Sequence, residues 1–284
     1  MLLSGSTCVY GLLGDPVAHS LSPLMHNYAF HRYHLDAVYV PFRVSAAELP
    51  SAVAGLRALN IAGYNVTVPH KETILSLLDE VDLPAQLIGA VNTVVCKNGV
   101  MTGYNTDVSG FKRAFQQELN FFPAGKNSLL LGAGGACRAA VVALASSGIK
   151  SIMIANRHLG RAQKVVDAFN TYFPDVEMSA TSYEDQLYFD GLADADLIVN
   201  TTSVGLKKEK INFLPLENIK GSALIFDMIY SLSETPLIKE SRSLSLTCCD
   251  GLGMLAAQGE DAFSLWTGIT LETGFMKRCL LESS

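Results

Sequence analysis

A glycine-rich run that directly follows an aliphatic stretch constrains the fold of this chain more than any other feature. Residues 128–131 read Ser-Leu-Leu-Leu, glycines occupy positions 132, 134 and 135, and small residues dominate 139–145. This order predicts a buried strand, a tight turn and a helix. Glycine has no Cβ, so the backbone of the turn can approach a ligand, and the free N–H groups of the helix start favour an anion. A dinucleotide pyrophosphate is the expected anion.

The match to the dinucleotide fingerprint is incomplete. The pattern is G-x-G-x-x-G/A, and Cys137 stands at its third conserved position. An ordinary glycine turn in an α/β protein also explains such a run. The rest of the chain therefore has to distinguish the two interpretations.

Composition describes a globular, mildly acidic protein. Of 284 residues, 49% are hydrophobic and 17% charged, which is enough apolar surface for a sizeable core. The net charge is −6, and no basic run interleaved with aromatic residues occurs, which argues against nucleic-acid binding. Six cysteines without a C-x-x-C pair favour a reducing, cytoplasmic location over disulfides or a zinc site. We expect no signal peptide and no membrane-spanning segment.

Two α/β blocks follow from the order of the predicted elements. The first block alternates strands with helices and closes on a hairpin at Asn98-Gly99, which predicts a mixed sheet covered by helices. The second block begins at the glycine run, and its β-α-β units imply a parallel sheet. Strands are predicted at 8–14, 38–43, 61–66, 90–96, 100–104, 128–131, 152–155, 195–202 and 223–226, and helices at 22–33, 46–59, 71–78, 108–119, 139–145 and 161–169, with two more at the C-terminus.

The residues after the second strand of the second block predict the nucleotide. An acidic residue in this place would bind the ribose hydroxyls of NAD. The chain instead carries Asn156 and Arg157, with Arg161 one helical turn later. Guanidinium groups pair with a 2′-phosphate, so a bound dinucleotide is expected to be NADP; solvated surface arginines are the alternative.

Lys71 and Asp107 form a candidate acid/base pair. Lys71 is predicted in the first turn of a helix, where the helix dipole disfavours a cation and so favours a group that exchanges a proton. Asp107 is a candidate carboxylate to orient it. Each has a structural alternative, because a lysine can extend to solvent and Asp107 is also a good N-cap for the helix that follows.

Further polar residues could hold a small ligand. Ser22 is predicted as the N-cap of a helix with Pro23 at its first position, while Ser20 has no such structural role, so both hydroxyls could bind a carboxylate. Gln258 falls on an apolar helical stripe, where its amide must find a hydrogen-bond partner. His19, His26, His31 and His34 lack a ligand-spaced carboxylate and are expected to be solvated or core residues rather than metal ligands.

Taken together, these stretches resemble the shikimate dehydrogenase family over nearly the whole chain. The matching runs are residues 14–27 (GDPVAHSLSPLMHN), 63–71 (GYNVTVPHK), 89–93 (GAVNT), 103–107 (GYNTD), 132–136 (GAGGA), 156–157 (NR), 200–205 (NTTSVG), 227–230 (DMIY) and 250–259 (DGLGMLAAQG). They occur in the order typical of the family.

The resemblance implies NADPH-dependent reduction of 3-dehydroshikimate to shikimate in aromatic amino-acid biosynthesis. It implies Lys71 as the catalytic acid/base with Asp107 as its partner. Substrate-binding residues would be Ser20, Ser22, Thr67, Asn92, Asp107, Tyr230 and Gln258. Cofactor-binding residues would be Gly132, Ala133, Gly134, Gly135, Ala136, Asn156, Arg157, Arg161, Met228 and Gly251.

The family architecture also implies a domain division. A mixed-sheet α/β substrate domain would comprise residues 1–106 and the C-terminal helices at 250–284, and a Rossmann-like NADP-binding domain residues 107–249, with a ligand cleft between them. The expected partners are the small-molecule substrate and a second copy of the chain in a homodimer.

One departure and two alternatives accompany the resemblance. The family usually has Thr after the Asn-Arg pair, and here the residue is His158, which can still hydrogen-bond a phosphate. A quinate/shikimate dehydrogenase that uses NAD or both cofactors is one alternative, although Arg157 and Arg161 argue against NAD. A non-catalytic ligand sensor on the same fold is the other, although both Lys71 and Asp107 are present.

Overall fold

The computed structural model describes residues 3–231 and 233–282. The chain forms two compact units, Met1–Gly110 together with Ala256–Ser284, and Phe111–Leu255. Each unit is built on a six-stranded sheet accompanied by helices, so the predicted α/β class with one mixed and one parallel sheet is confirmed.

The first unit contains a mixed sheet in the order β2-β1-β3-β5-β6-β4. β1 pairs in parallel with β2 and β3, whereas β5 is antiparallel to β3 and β6. Its elements are β1 Cys8–Gly14, α1 Ser22–Arg32, β2 Ala37–Arg43, α2 Leu49–Ala58, β3 Gly63–Val66, β4 Glu80–Val81, α3 Leu83–Ile88, β5 Thr93–Lys97 and β6 Val100–Tyr104, and α4 Asp107–Leu119 follows.

The second unit is a doubly wound parallel sheet in the order β12-β11-β10-β7-β8-β9. Its first strand lies beside its fourth, which is the strand exchange at which dinucleotide-binding folds hold their ligand. The elements are β7 Asn127–Leu131, α5 Gly135–Ala145, β8 Ser151–Ala155, α6 Leu159–Asn170, β9 Glu177–Thr181, α7 Gln186–Asp194, β10 Leu197–Asn200, β11 Leu224–Asp227, α8 Pro236–Ser243 and β12 Cys248–Cys249, and the chain ends with α9 Leu252–Thr267 and α10 Phe275–Glu282.

Each unit has its own hydrophobic core, which holds its strands in register. In the first unit, Tyr64 and Val94 are fully buried from β3 and β5, together with Ile74 behind the sheet. In the second, Leu129, Leu131 and Ile198 are fully buried from the central strands β7 and β10. Parallel strands covered on both faces read as continuous apolar runs, which is why Leu129 to Leu131 identified β7 from sequence.

Several predicted boundaries and elements were wrong or missed. The helix predicted from Lys71 to about Leu78 is a five-residue 3-10 helix, Thr73–Leu77. The helix predicted at 46–59 begins only at Leu49. The prediction omitted β4, β9, β12, α3, α7 and α8, whose segments are short or carry a weak apolar period.

The turn predicted at Asn98-Gly99 is confirmed in detail. Asn98 and Gly99 have φ values of 53° and 80°, and Lys97 pairs with Val100 on either side of them. Two successive left-handed residues match the twist of the flanking strands, and Asn-Gly adopts them most readily.

Candidate active site

The first unit brings Lys71 and Asp107 into direct contact. Lys71 Nζ lies 2.6 Å from Asp107 Oδ2, and the two side chains are 19% and 6% exposed. The Lys71 backbone is anchored because its carbonyl accepts the Val91 N–H at 2.8 Å. The neighbouring His70 is buried and its Nε2 lies 2.7 Å from the Val44 carbonyl oxygen. Anchors on both residues keep the ammonium in place beside the carboxylate.

The expectation that a helix dipole acts on Lys71 is wrong. Lys71 lies in a turn before the short 3-10 helix, and such a helix sums too few peptide dipoles to act on the ammonium. The contact with Asp107 is the dominant electrostatic interaction of Lys71.

The capping role considered for Asp107 is also wrong. Both of its carboxylate oxygens bond other side chains, Oδ2 to Lys71 and Oδ1 to Asn92 Nδ2 at 2.8 Å. The N–H group of Asp107 is bonded instead by Asn105 Oδ1 at 3.0 Å. Asn105 therefore satisfies the start of α4 and leaves the Asp107 carboxylate for the lysine.

Asn92 is the centre of this cluster, and its amide orientation is fixed from both ends. Its Oδ1 accepts the Thr106 N–H at 2.8 Å and the Thr93 hydroxyl at 3.0 Å. Its Nδ2 must then face Asp107 Oδ1, and it also donates to Gln258 Oε1 at 3.3 Å. The partner that Gln258 was expected to need is thus supplied within the first unit. We call Lys71, Asn92, Thr106, Asp107 and Gln258 the polar cluster.

Ser20 and Ser22 lie together at the start of α1, and Ser20 rather than Ser22 bonds a backbone N–H there. Ser22 is the first residue of the helix, and the predicted Ser22 N-cap is wrong because no side-chain cap bond forms there. Ser20 Oγ instead accepts the Ser22 N–H at 3.2 Å. Ser22 is 5% exposed, while Ser20 is partly exposed. Pro at the first turn of α1 is confirmed.

Thr67 lies at the end of β3, beside the end of β1. Its backbone N–H donates to the Leu13 carbonyl at 2.8 Å. A Cβ built on Gly14 would lie 2.2 Å from the Thr67 methyl group, so only glycine allows this approach. Thr67 is partly exposed.

Sequence reasoning missed the polar side chains that support the cluster. Thr93 and Thr106 are buried and both bond Asn92. Asn65 is 5% exposed in the fully buried strand β3, and its Nδ2 donates to Thr93 Oγ1 at 3.0 Å. The amide of Asn65 inside an apolar strand was the sequence signal for this network, because a buried amide requires hydrogen-bond partners within the protein.

In the second unit the glycine loop has the shape of a phosphate cradle. Gly132 has φ +107°, and a Cβ there would lie 2.8 Å from Thr201 Oγ1. A Cβ on Gly134, by contrast, would meet no atom within 4 Å. Gly134 precedes α5, whose first turn begins at Gly135, and Ala133 to Ala136 remain partly exposed. The loop therefore leaves open space in front of the N–H groups of a helix start.

Cys137 occupies the third fingerprint position without blocking the loop. It is fully buried within α5, and burial raises the pKa of its thiol to about 12, so the group is a neutral packing residue. Its neighbour Thr201 is held by a 2.7 Å bond to the Leu131 carbonyl.

The predicted nucleotide-selecting residues follow β8. The side chain of Asn156 is held within its own loop, because its Nδ2 donates to the His158 carbonyl at 2.9 Å. Arg157, His158 and Arg161 are exposed. Arg157 also lines a small cavity of about 250 Å³, together with Leu159 and residues 182–185, which follow β9 in the chain. Among the described residues, no carboxylate pairs with Arg157 or Arg161.

Met228, Tyr230 and Gly251 lie on loops that a buried carboxylate organises. Asp227 Oδ1 accepts from Asn200 Nδ2 at 2.8 Å and from the Ile229 N–H at 3.2 Å, and Thr235 donates to Oδ2 at 2.7 Å. Burial raises the pKa of Asp227 to about 6.

Gly251 approaches this loop too closely for any other residue. A Cβ on Gly251 would lie 2.4 Å from the Met228 carbonyl oxygen. Met228 and Tyr230 are both partly exposed. The second unit thus presents the glycine cradle, the arginines and these loops, which fit a dinucleotide.

The histidines do not assemble a metal site in the described parts of the chain. His26 is fully buried, whereas His19, His31 and His34 are exposed. In residues 3–231 and 233–282, no group of three His, Cys, Asp or Glu side chains is arranged to hold a metal ion. Over the same residues, no helix combines the length and apolar character needed to cross a membrane.

Three family models match successive parts of the chain. The model described as shikimate dehydrogenase substrate binding domain matches residues 12–94. The model for shikimate / quinate 5-dehydrogenase matches residues 116–228, and the model for the shikimate 5′-dehydrogenase C-terminal domain matches residues 251–281.

Similar proteins match over the full length. The shikimate dehydrogenase (NADP(+)) of Geobacter metallireducens is 46% identical, covering 100% of this chain and 99% of the relative. The structure of shikimate 5-dehydrogenase from Thermus thermophilus in complex with NADP(H) and shikimate is 33% identical, with a TM-score of 0.84, and covers 98% of this chain and 100% of that one. Quinate dehydrogenase from Corynebacterium glutamicum in complex with NAD is 31% identical, with a TM-score of 0.86 over 97% of this chain and 99% of that one.

Proposed function

This chain belongs to the shikimate dehydrogenase family, and we propose that it reduces 3-dehydroshikimate to shikimate with NADPH, and catalyses the reverse oxidation, in aromatic amino-acid biosynthesis. The observation that carries the proposal is the Lys71–Asp107 pair, with Nζ and Oδ2 2.6 Å apart inside the polar cluster. An ammonium beside a carboxylate and flanked by amides and hydroxyls suits a polyhydroxylated substrate whose carbonyl must gain a proton.

Lys71 is the group that moves the proton. The bound cofactor supplies a hydride to the carbonyl carbon of the substrate. The Lys71 ammonium donates one proton to the carbonyl oxygen, so that ketone, hydride and proton together give the secondary alcohol. In the reverse direction neutral Lys71 takes the hydroxyl proton. Asp107 orients Nζ and balances its charge.

The remaining side chains of the first unit orient the substrate. Thr67, Asn92, Asp107 and Gln258 offer hydroxyl, amide and carboxylate groups for the ring hydroxyls, and Ser20 and Ser22 offer hydroxyls for the substrate carboxylate. Under this assignment, the first unit, Met1–Gly110 with Ala256–Ser284, is the substrate domain.

NADP(H) is held by residues of the second unit. The cradle from Gly132 to Ala136 takes the pyrophosphate, and Asn156, Arg157 and Arg161 take the adenosine end with its 2′-phosphate. Met228 and Gly251 border the nicotinamide. The second unit, Phe111–Leu255, is this NADP-binding domain.

An absorbance assay at the nicotinamide band tests the proposal. Shikimate and quinate are each offered with NADP and with NAD. We expect turnover with shikimate and NADP, and its absence would refute the proposal. Turnover of quinate with NAD would instead support the second candidate function, which the similarity to the C. glutamicum quinate dehydrogenase favours and the two arginines oppose.

We also propose a cytoplasmic location and a homodimer. The six cysteines are all free, as expected in a reducing compartment. Light scattering of the purified chain measures the oligomeric state, and a mass of one chain would refute the dimer.

A further inference from the structure

Tyr39 is a buried tyrosine whose hydroxyl reaches toward the polar cluster from the edge strand of the sheet. It lies on β2, is 1% exposed, and donates to Asn65 Oδ1 on β3 at 2.8 Å. The strand β1 separates the two residues, with Tyr10 opposite Tyr39 and Leu12 opposite Asn65. The tyrosine ring is long enough to extend its hydroxyl past β1 to the amide.

A continuous set of directed hydrogen bonds joins Tyr39 to the catalytic pair. Asn65 Nδ2 donates to Thr93 Oγ1 at 3.0 Å, and the Thr93 hydroxyl donates to Asn92 Oδ1 at 3.0 Å. Asn92 Nδ2 then donates to Asp107 Oδ1, and Asp107 Oδ2 accepts from Lys71. Each of the two amides accepts at its oxygen and donates from its nitrogen, and the Thr93 hydroxyl accepts and donates at Oγ1, so the orientation of one amide determines that of the next.

Tyr39 itself is held by the dipeptide His26-Asn27, which ends the first of the runs that resemble the family. Asn27 Oδ1 accepts the Tyr39 N–H at 2.8 Å, and Asn27 Nδ2 donates to the Tyr39 carbonyl at 2.9 Å. The His26 ring stacks on the Tyr39 ring with centroids 4.6 Å apart and an angle of 15°. Neither ring nitrogen of His26 has a hydrogen-bond partner among the described residues, so the ring holds Tyr39 by stacking.

Resting on the proposed function, we propose that Tyr39 is a positioning residue for the Lys71–Asp107 pair, acting through Asn65, Thr93 and Asn92. Without the Tyr39 hydroxyl, Asn65 Oδ1 is buried without a donor. A rotation of the Asn65 amide would not help, because its Nδ2 bonds both the Asn92 carbonyl and Thr93. The strain therefore passes to Asn92 and from there to Asp107.

The variant Tyr39→Phe tests this with Tyr64→Phe as its matched control. Tyr64 is also fully buried in the first unit, but its hydroxyl contacts the Met101 sulfur at 3.6 Å and takes no part in the set of bonds. Because small displacements of catalytic groups slow the chemical step, we expect Tyr39→Phe to lower kcat roughly tenfold. Tyr64→Phe should lower it less than about twofold, and the Kd for NADP should be unchanged in both.

A kinetic isotope effect separates positioning from general destabilisation. With shikimate deuterated at the carbinol carbon that is oxidised, the isotope effect on kcat should rise in Tyr39→Phe and stay at the wild-type value in Tyr64→Phe. Equal kcat and isotope effects in the two variants would overturn the proposal. Absence of wild-type turnover would instead refute the proposed function, so the two failures are distinguishable.

Thr93→Val interrupts the same set of bonds one step closer to Asn92. It should reproduce the fall in kcat, and it replaces Tyr39→Phe in the test if that variant does not fold. The double variant should be no slower than the slower single variant, because both act on one pathway. Multiplied losses in kcat would contradict that coupling.

Discussion

The polar cluster around Lys71 and the two arginines that follow β8, Arg157 and Arg161, use charged side chains in opposite ways. Lys71 and Asp107 are paired and mostly buried, and the side-chain bonds of Asn92 help to fix them. Arg157 and Arg161 are exposed, without a carboxylate partner in the described residues. A group that transfers a proton must be in place before the substrate arrives. A group that binds a phosphate can remain solvated until the ligand supplies its partner.

The largest expected effect comes from removing the buried cation. Lys71→Ala should lower kcat by about 10²–10⁴-fold, the usual range for loss of a general acid, and leave the Kd for shikimate within a few-fold of wild type. Steady-state rates and calorimetry measure the two quantities. Lys97→Ala, which removes an exposed lysine of the same unit, is the control. A loss of only a few-fold would exclude Lys71 as the proton donor.

The second effect concerns the pH dependence of stability in the first unit. Burial lowers the pKa of His26 to about 3, below its ordinary 6.5. As the pH falls from 6.5 toward 3, the unfolded chain binds a proton at His26 and the folded protein does not, so the free energy of unfolding decreases. This single residue should account for about 3 kcal/mol between pH 7 and pH 4.

His26→Phe should remove that component. Urea titrations followed by the fluorescence of Trp266, the single tryptophan, measure it at each pH. The ring of Trp266 lies 5.1 Å from that of His26. The difference between variant and wild type should grow on acidification. His31→Gln, an exposed histidine on the same helix, is the control, and a pH-independent difference for His26→Phe would contradict the burial argument.

A third, smaller effect belongs to the exposed arginine. Arg157→Ala should raise the Kd for NADP roughly 10- to 30-fold, as expected for one charge-assisted phosphate contact, and leave the Kd for NAD almost unchanged. Fluorescence titration of both nucleotides measures the ratio. Arg278→Ala, at an exposed ion pair of the first unit, is the control. Equal weakening for NAD and NADP would show that Arg157 does not contact the 2′-phosphate.

The smallest effect tests the other wall of the Arg157 cavity. Glu184 lines it, so its carboxylate should weakly repel a 2′-phosphate. Glu184→Gln should tighten NADP about twofold at low salt, with the gain fading at high salt. Glu177→Gln, at the opposite end of β9, makes the same charge change away from the cavity. An equal gain from both variants would remove Glu184 from the site.

The sequence predicted the second unit better than the supporting side chains of the first. The apolar run of β7 and the glycines behind it are local signals, and local propensity determines them. The bonds of Asn92 join residues up to 166 positions apart, as in its contact with Gln258. Nothing local distinguishes Asn65 or Thr93 from other polar residues of a strand. The short 3-10 helix after Lys71 was mistaken for an α-helix because its apolar residues are too few to show a period.

Comparing the kcat values of Lys71→Ala, Asp107→Ala and the double variant tests whether Lys71 and Asp107 operate as one preassembled unit. Groups that act as a unit lose their contribution together. We expect the double variant to be no slower than Lys71→Ala alone. A double variant slower by the product of the two single losses would contradict it.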